Sequence, residues 1–138
     1  MKIRNVRLLV LAAVSASFAL LWALPAGASP ARTSATTVTV TGGSPSEFGF
    51  VLSAKKVKHG TVTFKFVNKG NLPHDLKICS SNKGTIKPNT CVGKVTPQIA
   101  KGKTATLKIT FAKAGKYEYL CTVPAHAQNG MKGVLTVT

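Results

Sequence analysis

The chain has 138 residues, with 19 lysines and arginines against 3 acidic residues and 3 histidines, and a formal net charge of +16 at pH 7. This length suits one small domain with a single core. So few acidic residues and histidines cannot build several histidine-rich metal centres, and no Ser-His-Asp or paired-carboxylate arrangement is evident. We therefore expect a protein that is not an enzyme.

Residues 1–28 have the organisation of a secretory signal peptide. A basic start, M-K-I-R-N-V-R, precedes an apolar run over 8–24, and A-G-A at 26–28 is a small-residue cleavage box. We predict cleavage after Ala28 and an exported protein that is periplasmic, extracellular or on the cell surface. The alternative is that the apolar run is retained as an N-terminal anchor. Residues 29–36 are small and polar, and they predict a loose tail before the domain at 37–138.

Apolar and polar side chains alternate through much of the domain, with Gly, Pro, Asn and Lys between the alternating segments. Such alternation indicates half-buried β-strands. We predict strands at 37–40, 48–52, 61–67, 74–78, 105–111, 117–120 and 134–137. Strands at this spacing predict an all-β protein, a two-sheet Greek-key β-sandwich. A short helix between Ser81 and Pro97 is an alternative that the pattern leaves open.

Potential metal ligands follow one another near the C-terminus. Cys121, His126 and Met131 stand five residues apart, and His74 in N-L-P-H-D adds a second imidazole. Two histidines, one cysteine thiolate and a weak axial methionine are the ligands of blue copper electron-transfer sites. Soft sulfur stabilises Cu(I) and imidazole suits Cu(II), so such a site exchanges an electron with little rearrangement. We predict a mononuclear type 1 copper site that shuttles single electrons between redox partners. The alternative is a copper-binding or copper-delivery protein without a carrier role.

Two segments resemble the cupredoxins, the group that includes plastocyanin, azurin, rusticyanin and auracyanin. The segment Y-E-Y-L-C-T-V-P-A-H-A-Q-N-G-M-K-G-V-L-T-V at 117–137 is similar to the family's C-terminal ligand loop. The segment F-V-N-K-G-N-L-P-H-D-L at 66–76 is similar to its first-histidine region. The resemblance implies a cupredoxin fold in which one copper ion is bound by His74, Cys121, His126 and Met131.

The residue after the first histidine departs from the family. Many cupredoxins have Asn or Ser there, whereas this chain has Asp75. An ionised Asp accepts hydrogen bonds from the facing loop but cannot donate them. We predict that Asp75 accepts a hydrogen bond from Thr122, next to the ligand cysteine, and that its charge lowers the reduction potential.

The other two cysteines predict a disulfide. Cys79 and Cys91 enclose a loop of 13 residues, counting both ends. Disulfides persist in exported proteins, and closing a loop of this length contributes about 3 kcal/mol in the chain-entropy model. A second metal site is the alternative, but no spare His or Met lies nearby. The disulfide leaves Cys121 free as the copper thiolate.

The basic surface predicts the partners. Three basic residues lie in the leader, which leaves 16 basic against 3 acidic side chains and a net charge of +13. Such a charge steers acidic partners, so we expect a monomer that docks acidic redox proteins, with no specific nucleic acid. We also expect anionic membrane or cell-wall polymer as a nonspecific partner. The alternative interpretation of the charge is that scattered lysines only keep a small β-domain soluble. We expect electrons to pass through His126, inside an uncharged patch of Leu72, Pro73, Pro124, Ala125 and Ala127.

Overall fold

The computed structural model describes residues 36–84 and 91–138 and contains nine strands in these ranges. Their bounds are β1 Thr36–Gly42, β2 Phe50–Leu52, β3 Lys56–Val57, β4 Gly60–Asn68, β5 Lys77–Cys79, β6 Gly93–Val95, β7 Thr104–Phe111, β8 Gly115–Leu120 and β9 Lys132–Val137. The predicted signal peptide and nearly all of the predicted tail lie outside the described residues. Within them, no helix is long and apolar enough to cross a membrane.

The strands form two sheets, with the orders β2-β1-β4-β7 and β3-β9-β8-β5-β6. The β1–β4 and β3–β9 pairs are parallel and the remaining pairs are antiparallel. Because sequence neighbours repeatedly fall in different sheets, the chain crosses from one sheet to the other, as it does in Greek-key sandwiches. The prediction of an all-β sandwich of two sheets is confirmed.

Alternating side chains fill the space between the sheets. In β4, Val62, Phe64 and Phe66 are buried while Lys65 between them is exposed. These side chains pack with buried residues of the other sheet, such as Leu135. Burial of each such side chain contributes about 1.5–3 kcal/mol. The resulting two-sheet frame carries the loops at its ends.

The register brings three loops to one end of the sandwich. Gly42 at the end of β1 pairs with Asn68 at the end of β4, so the loops that follow both strands start side by side. Leu120 at the end of β8 pairs with Lys132 at the start of β9, so residues 121–131 form the loop of a β-hairpin. We call residues 121–131 the ligand loop and residues 43–49 the supporting loop.

Two details differ from the sequence predictions. β5 begins at Lys77, so His74 lies in a loop that makes only an isolated bridge to Ile99. The reason is that the Leu76 N–H donates to the Thr96 hydroxyl instead of to a main-chain carbonyl, which interrupts the ladder before β5. The described part of 81–97 contains the short exposed strand β6 and no helix. Strands β3 and β6 are too short to produce an alternating pattern.

Candidate metal centre

Three predicted ligand atoms converge at the end of the sandwich. The Nδ1 atoms of His74 and His126 are 3.0 Å apart. The Cys121 Sγ lies 3.5 Å from Nδ1 of His126 and 3.9 Å from Nδ1 of His74. All three residues are buried. The structure therefore brings one thiol and two imidazoles, distant in sequence, into one triangle.

The size of this triangle fits a metal ion. A point equidistant from the three atoms lies about 2.0 Å from each, within the range of about 2.0–2.3 Å that N and S ligands require. One soft sulfur and two imidazole nitrogens in a trigonal arrangement are the donor set of type 1 copper. Met131 is fully buried on the same loop, and its methyl group lies against Gly42. The four residues fit a single copper ion of this type.

Main-chain hydrogen bonds close the ligand loop on itself. The Cys121 N–H donates to the Met131 carbonyl at 3.0 Å, and the Met131 N–H donates to the His126 carbonyl at 2.9 Å. The residue before the second imidazole, Ala125, has a φ of 70°, a left-handed conformation that non-glycine residues rarely adopt. Three ligands are thus fixed relative to one another by a compact turn of the backbone.

The loop that carries His74 is held by a buried amide. The Asn68 side chain donates to the carbonyls of Leu72 and Ile99, both at 2.8 Å, and accepts from the Gly70 N–H. The backbone of His74 exchanges hydrogen bonds with Ile99 in both directions. Hydrogen bonds within the protein therefore hold the His74 loop in place without any contribution from a metal.

The predicted contact between Asp75 and Thr122 is present in the structure. The Thr122 N–H donates to Asp75 Oδ1 at 2.6 Å, and the Thr122 hydroxyl donates to Oδ2. Asp75 itself is buried. This carboxylate links the residue after the first histidine to the residue after the cysteine, so it ties the two ligand-bearing segments together.

The supporting loop contributes two site residues that the sequence reading missed. Glu47 Oε1 lies 2.9 Å from Nε2 of His74, and the Phe48 ring packs edge-on against the His126 ring at 5.1 Å between centroids. A carboxylate can only accept, so Nε2 of His74 carries the proton and its Nδ1 presents a lone pair. Two features of the sequence could have indicated these residues: acidic residues are rare in the chain, and Glu47 and Phe48 lie in the turn sequence G-G-S-P-S-E-F-G.

Burial and hydrogen bonding set the protonation of the site residues. Burial raises the pKa of the Cys121 thiol from 9.0 to about 11. Burial, and then the neighbouring His74, lower the pKa of His126, so its imidazole is neutral and able to ligate at pH 7. Backbone N–H groups of Asn71 and Leu72 hold the pKa of Glu47 at about 2. A metal ion must displace the thiol proton, whereas the Glu47 carboxylate is ionised throughout.

The disulfide prediction is confirmed, because Cys79 and Cys91 are bonded and Cys121 is a free buried cysteine.

One expectation for the uncharged surface patch around His126 is wrong. Ala127 is fully buried and packs with Cys79 and Leu120, because the turn that presents His126 inwards also directs the next side chain inwards. The other four residues of the predicted patch, Leu72, Pro73, Pro124 and Ala125, are exposed; we call these four the docking patch.

Comparison with known proteins agrees with this geometry. The model of the copper-binding proteins of the plastocyanin/azurin family matches residues 36–138. The chain belongs to this family, and the resemblance to cupredoxins and the prediction of copper are confirmed.

Three individual proteins are informative. An auracyanin B structure is 25% identical, with a TM-score of 0.64, over 75% of this chain and 89% of that one. A dithionite-reduced auracyanin from Roseiflexus castenholzii is also 25% identical, with a TM-score of 0.59, over 75% of this chain and 98% of that one. The copper-resistant cuproprotein CopI of Pseudomonas aeruginosa is 49% identical over 39 residues. That match covers 28% of this chain and only 22% of CopI.

Proposed function

We propose that the protein is an exported single-electron carrier whose copper ion is held by His74, Cys121, His126 and Met131. The observation that carries the proposal is the buried triangle of Cys121 Sγ and the two histidine Nδ1 atoms, with sides of 3.0, 3.5 and 3.9 Å. Bound copper supplies a one-electron Cu(I)/Cu(II) couple. The similarity to an auracyanin studied in its dithionite-reduced form supports a redox role.

The chain's own contacts favour fast electron exchange. Each ligand-bearing segment is held by hydrogen bonds that do not involve the metal, such as those of Asn68 to the His74 loop and of Asp75 to Thr122. The site is also dry, because His74, Cys121 and Met131 have no exposed surface. Rigid ligands that exclude water need little rearrangement when the charge of the metal changes.

The same features support a carrier rather than an enzyme. Catalytic metal sites leave a coordination position open for water or substrate. Here three ligand atoms converge, Met131 is fully buried on the same loop, and His126 is only 6% exposed. Such a site offers no open position to a substrate, although its edge at His126 comes closest to solvent.

We propose that electrons pass through His126 to a partner seated on the docking patch. Pro124 and Ala125 precede His126, and Leu72 and Pro73 precede the other imidazole. An apolar patch lets a partner approach without desolvating charge, and small interfaces suit transient redox encounters. The excess of basic residues over 3 acidic ones supports a partner with an acidic surface.

A role in copper handling is the second candidate. The observation in its favour is the 49% identity with the copper-resistant cuproprotein CopI, although over only 39 residues. Copper delivery requires the ion to leave the protein, whereas electron transfer requires it to stay. The enclosed ligand set therefore favours the carrier.

Stopped-flow oxidation of the Cu(I) protein by an acidic haem protein tests the carrier proposal. We expect Ala125→Glu to slow electron transfer at low salt about tenfold while leaving the copper absorption spectrum intact. Ala125→Lys is the matched control, since a side chain of similar size but opposite charge is expected not to slow the reaction. If Ala125→Glu transfers electrons at the wild-type rate at every salt concentration, the docking patch is not where the partner binds.

A copper-transfer measurement separates the two candidates. The Cu(I) protein is mixed with bicinchoninate, a chelator that binds Cu(I), and copper loss is followed by absorbance. A carrier exchanges electrons many times before it loses its copper. Copper loss that is faster than electron exchange with the haem protein would favour delivery over the carrier.

A further inference from the structure

The side chain of Glu47 makes an unusual number of contacts for a partly exposed carboxylate. Oε1 accepts from the Leu72 N–H and from Nε2 of His74, both at 2.9 Å, and Oε2 accepts from the Asn71 N–H at 3.0 Å. The side chain is 26% exposed. One carboxylate therefore satisfies two backbone donors of the His74 loop and the outer nitrogen of a copper ligand.

The chain makes room for this carboxylate with two glycines. A Cβ atom on Gly70 would lie 2.7 Å from Nε2 of His74 and closer still to Glu47 Oε1. A Cβ atom on Gly43 would overlap the backbone of Gly70. Only a contact between two bare backbones lets the supporting loop approach near enough for Glu47 to reach His74. This close approach is an observation independent of the hydrogen bonds.

We infer that Glu47 is a positioning residue for the copper site: it orients the His74 imidazole through Nε2 and, by its negative charge, stabilises Cu(II) relative to Cu(I). A carboxylate bonded to the outer nitrogen of a metal-ligating histidine fixes the tautomer and makes the imidazole a stronger donor. Both effects favour the more highly charged ion. The inference rests on the copper site and is independent of the carrier role and of any partner.

The primary test is the reduction potential of Glu47→Gln, which keeps the size of the side chain and removes its charge. Loss of an outer partner typically changes metal affinity 10- to 100-fold. We expect the Cu(I)-to-Cu(II) affinity ratio to rise about tenfold, which for one electron is a rise of about 59 mV. A potential that is unchanged or lower would overturn the inference.

A charge-restored variant separates contact from net charge. Ser46 is exposed and adjacent, so Ser46→Glu combined with Glu47→Leu returns the lost charge and leaves no side-chain acceptor at residue 47 for the Nε2–H of His74. We expect this double variant to keep most of the raised potential. If its potential returns to the wild-type value, Glu47 acts only as a nearby charge, and its positioning role is wrong.

Gly70→Ala tests the same contact without touching the carboxylate. The added methyl group should displace Glu47 from His74, and we expect the potential to rise as in Glu47→Gln. In the Cu(I) protein, the Nε2–H proton of His74 should exchange with solvent at least tenfold faster in Gly70→Ala and in Glu47→Leu, as measured by NMR. A normal exchange rate in either folded variant would contradict the proposed contact, even where copper binding is weakened.

Discussion

The ligand loop and the supporting loop meet at the same end of the sandwich but contribute different things. The ligand loop holds its own shape through the Cys121–Met131 backbone hydrogen bond and brings three ligands within eleven residues. The supporting loop supplies no ligand, yet Glu47 contacts His74 and Phe48 contacts His126. Coordination chemistry is thus concentrated in one loop, while the orientation of both imidazoles depends on another that is distant in sequence.

The strongest test of the ligand loop removes its thiolate. We expect Cys121→Ser to abolish the intense visible band of the copper(II) protein, because thiolate-to-copper charge transfer requires the sulfur. Met131→Leu is the control in the same loop, and it should keep an intense band because the axial thioether binds only weakly. Absorption spectra of the two copper-loaded variants decide the matter. An intense band in Cys121→Ser would show that the thiolate is assigned to the wrong residue.

The protonated thiol predicts how copper binding depends on pH. At pH 7 the Cys121 thiol, whose pKa burial raises to about 11, holds its proton in the metal-free protein. Copper must release that proton, so the Cu(II) affinity should rise about tenfold per pH unit between about pH 7 and 9. A chelator competition series measures the affinity, and a weakly buffered titration should record one proton released per copper. An affinity that does not change with pH would be inconsistent with a protonated thiol.

The disulfide offers a contrast because it supplies no copper ligand, although Cys79 packs with Ala127 of the ligand loop. Replacing both Cys79 and Cys91 by Ala should lower the free energy of unfolding of the metal-free protein by about 3 kcal/mol. The visible spectrum of the copper-loaded variant should remain that of the wild type. Urea unfolding monitored by tyrosine fluorescence gives the energy. A loss of the blue band in a folded variant would mean that the disulfide also shapes the copper site.

The parts of the site that could be predicted from sequence are those in a local pattern, together with His74, which the type 1 copper donor set requires as a second imidazole. Cys121, His126 and Met131 share one short segment, and Asp75 and Thr122 are direct neighbours of ligands. Glu47 stands 27 residues before His74, and the two meet only because β1 and β4 pair in parallel. Parallel pairing across a crossover leaves no spacing in the sequence from which the contact could be inferred.

The same limit explains which strands could be predicted. Long strands such as β4 bury alternate side chains and were found nearly at their true bounds. The short strand β6 is exposed at every position, so no pattern marks it. The strand predicted from residue 74 starts three residues later, because the Thr96 hydroxyl accepts from the Leu76 N–H and interrupts the ladder.

Altering the Asp75–Thr122 contact, which links the His74 segment to the ligand loop, should have a moderate effect on the reduction potential. We expect Asp75→Asn to raise the reduction potential by about 59 mV, a tenfold change in relative affinity, because a negative charge that favours Cu(II) is lost. Thr122→Val removes the hydroxyl donor but keeps the backbone N–H bond to Asp75, so it should shift the potential less. Voltammetry compares the two. An equal or lower potential in Asp75→Asn would argue against a role for its charge.

The smallest expected effect belongs to the other contact of the supporting loop. Phe48 meets the His126 ring edge-on with an interplanar angle of 66°, and aromatic pairs of this kind contribute about 0.5–1.5 kcal/mol beyond their buried area. Phe48→Leu should lower the free energy of unfolding by about that amount and broaden the copper(II) EPR signal, because the His126 ring is less constrained.

Phe50→Leu is the matched control for this change. Phe50 lies edge-on to Phe66 and Tyr119, with centroids 6.0 and 5.8 Å away, and packs against the core rather than against a ligand. It should lose a similar amount of stability while its EPR signal stays as narrow as that of the wild type. If the two variants broaden the signal equally, the supporting loop does not orient His126, and its influence on the copper site is confined to Glu47.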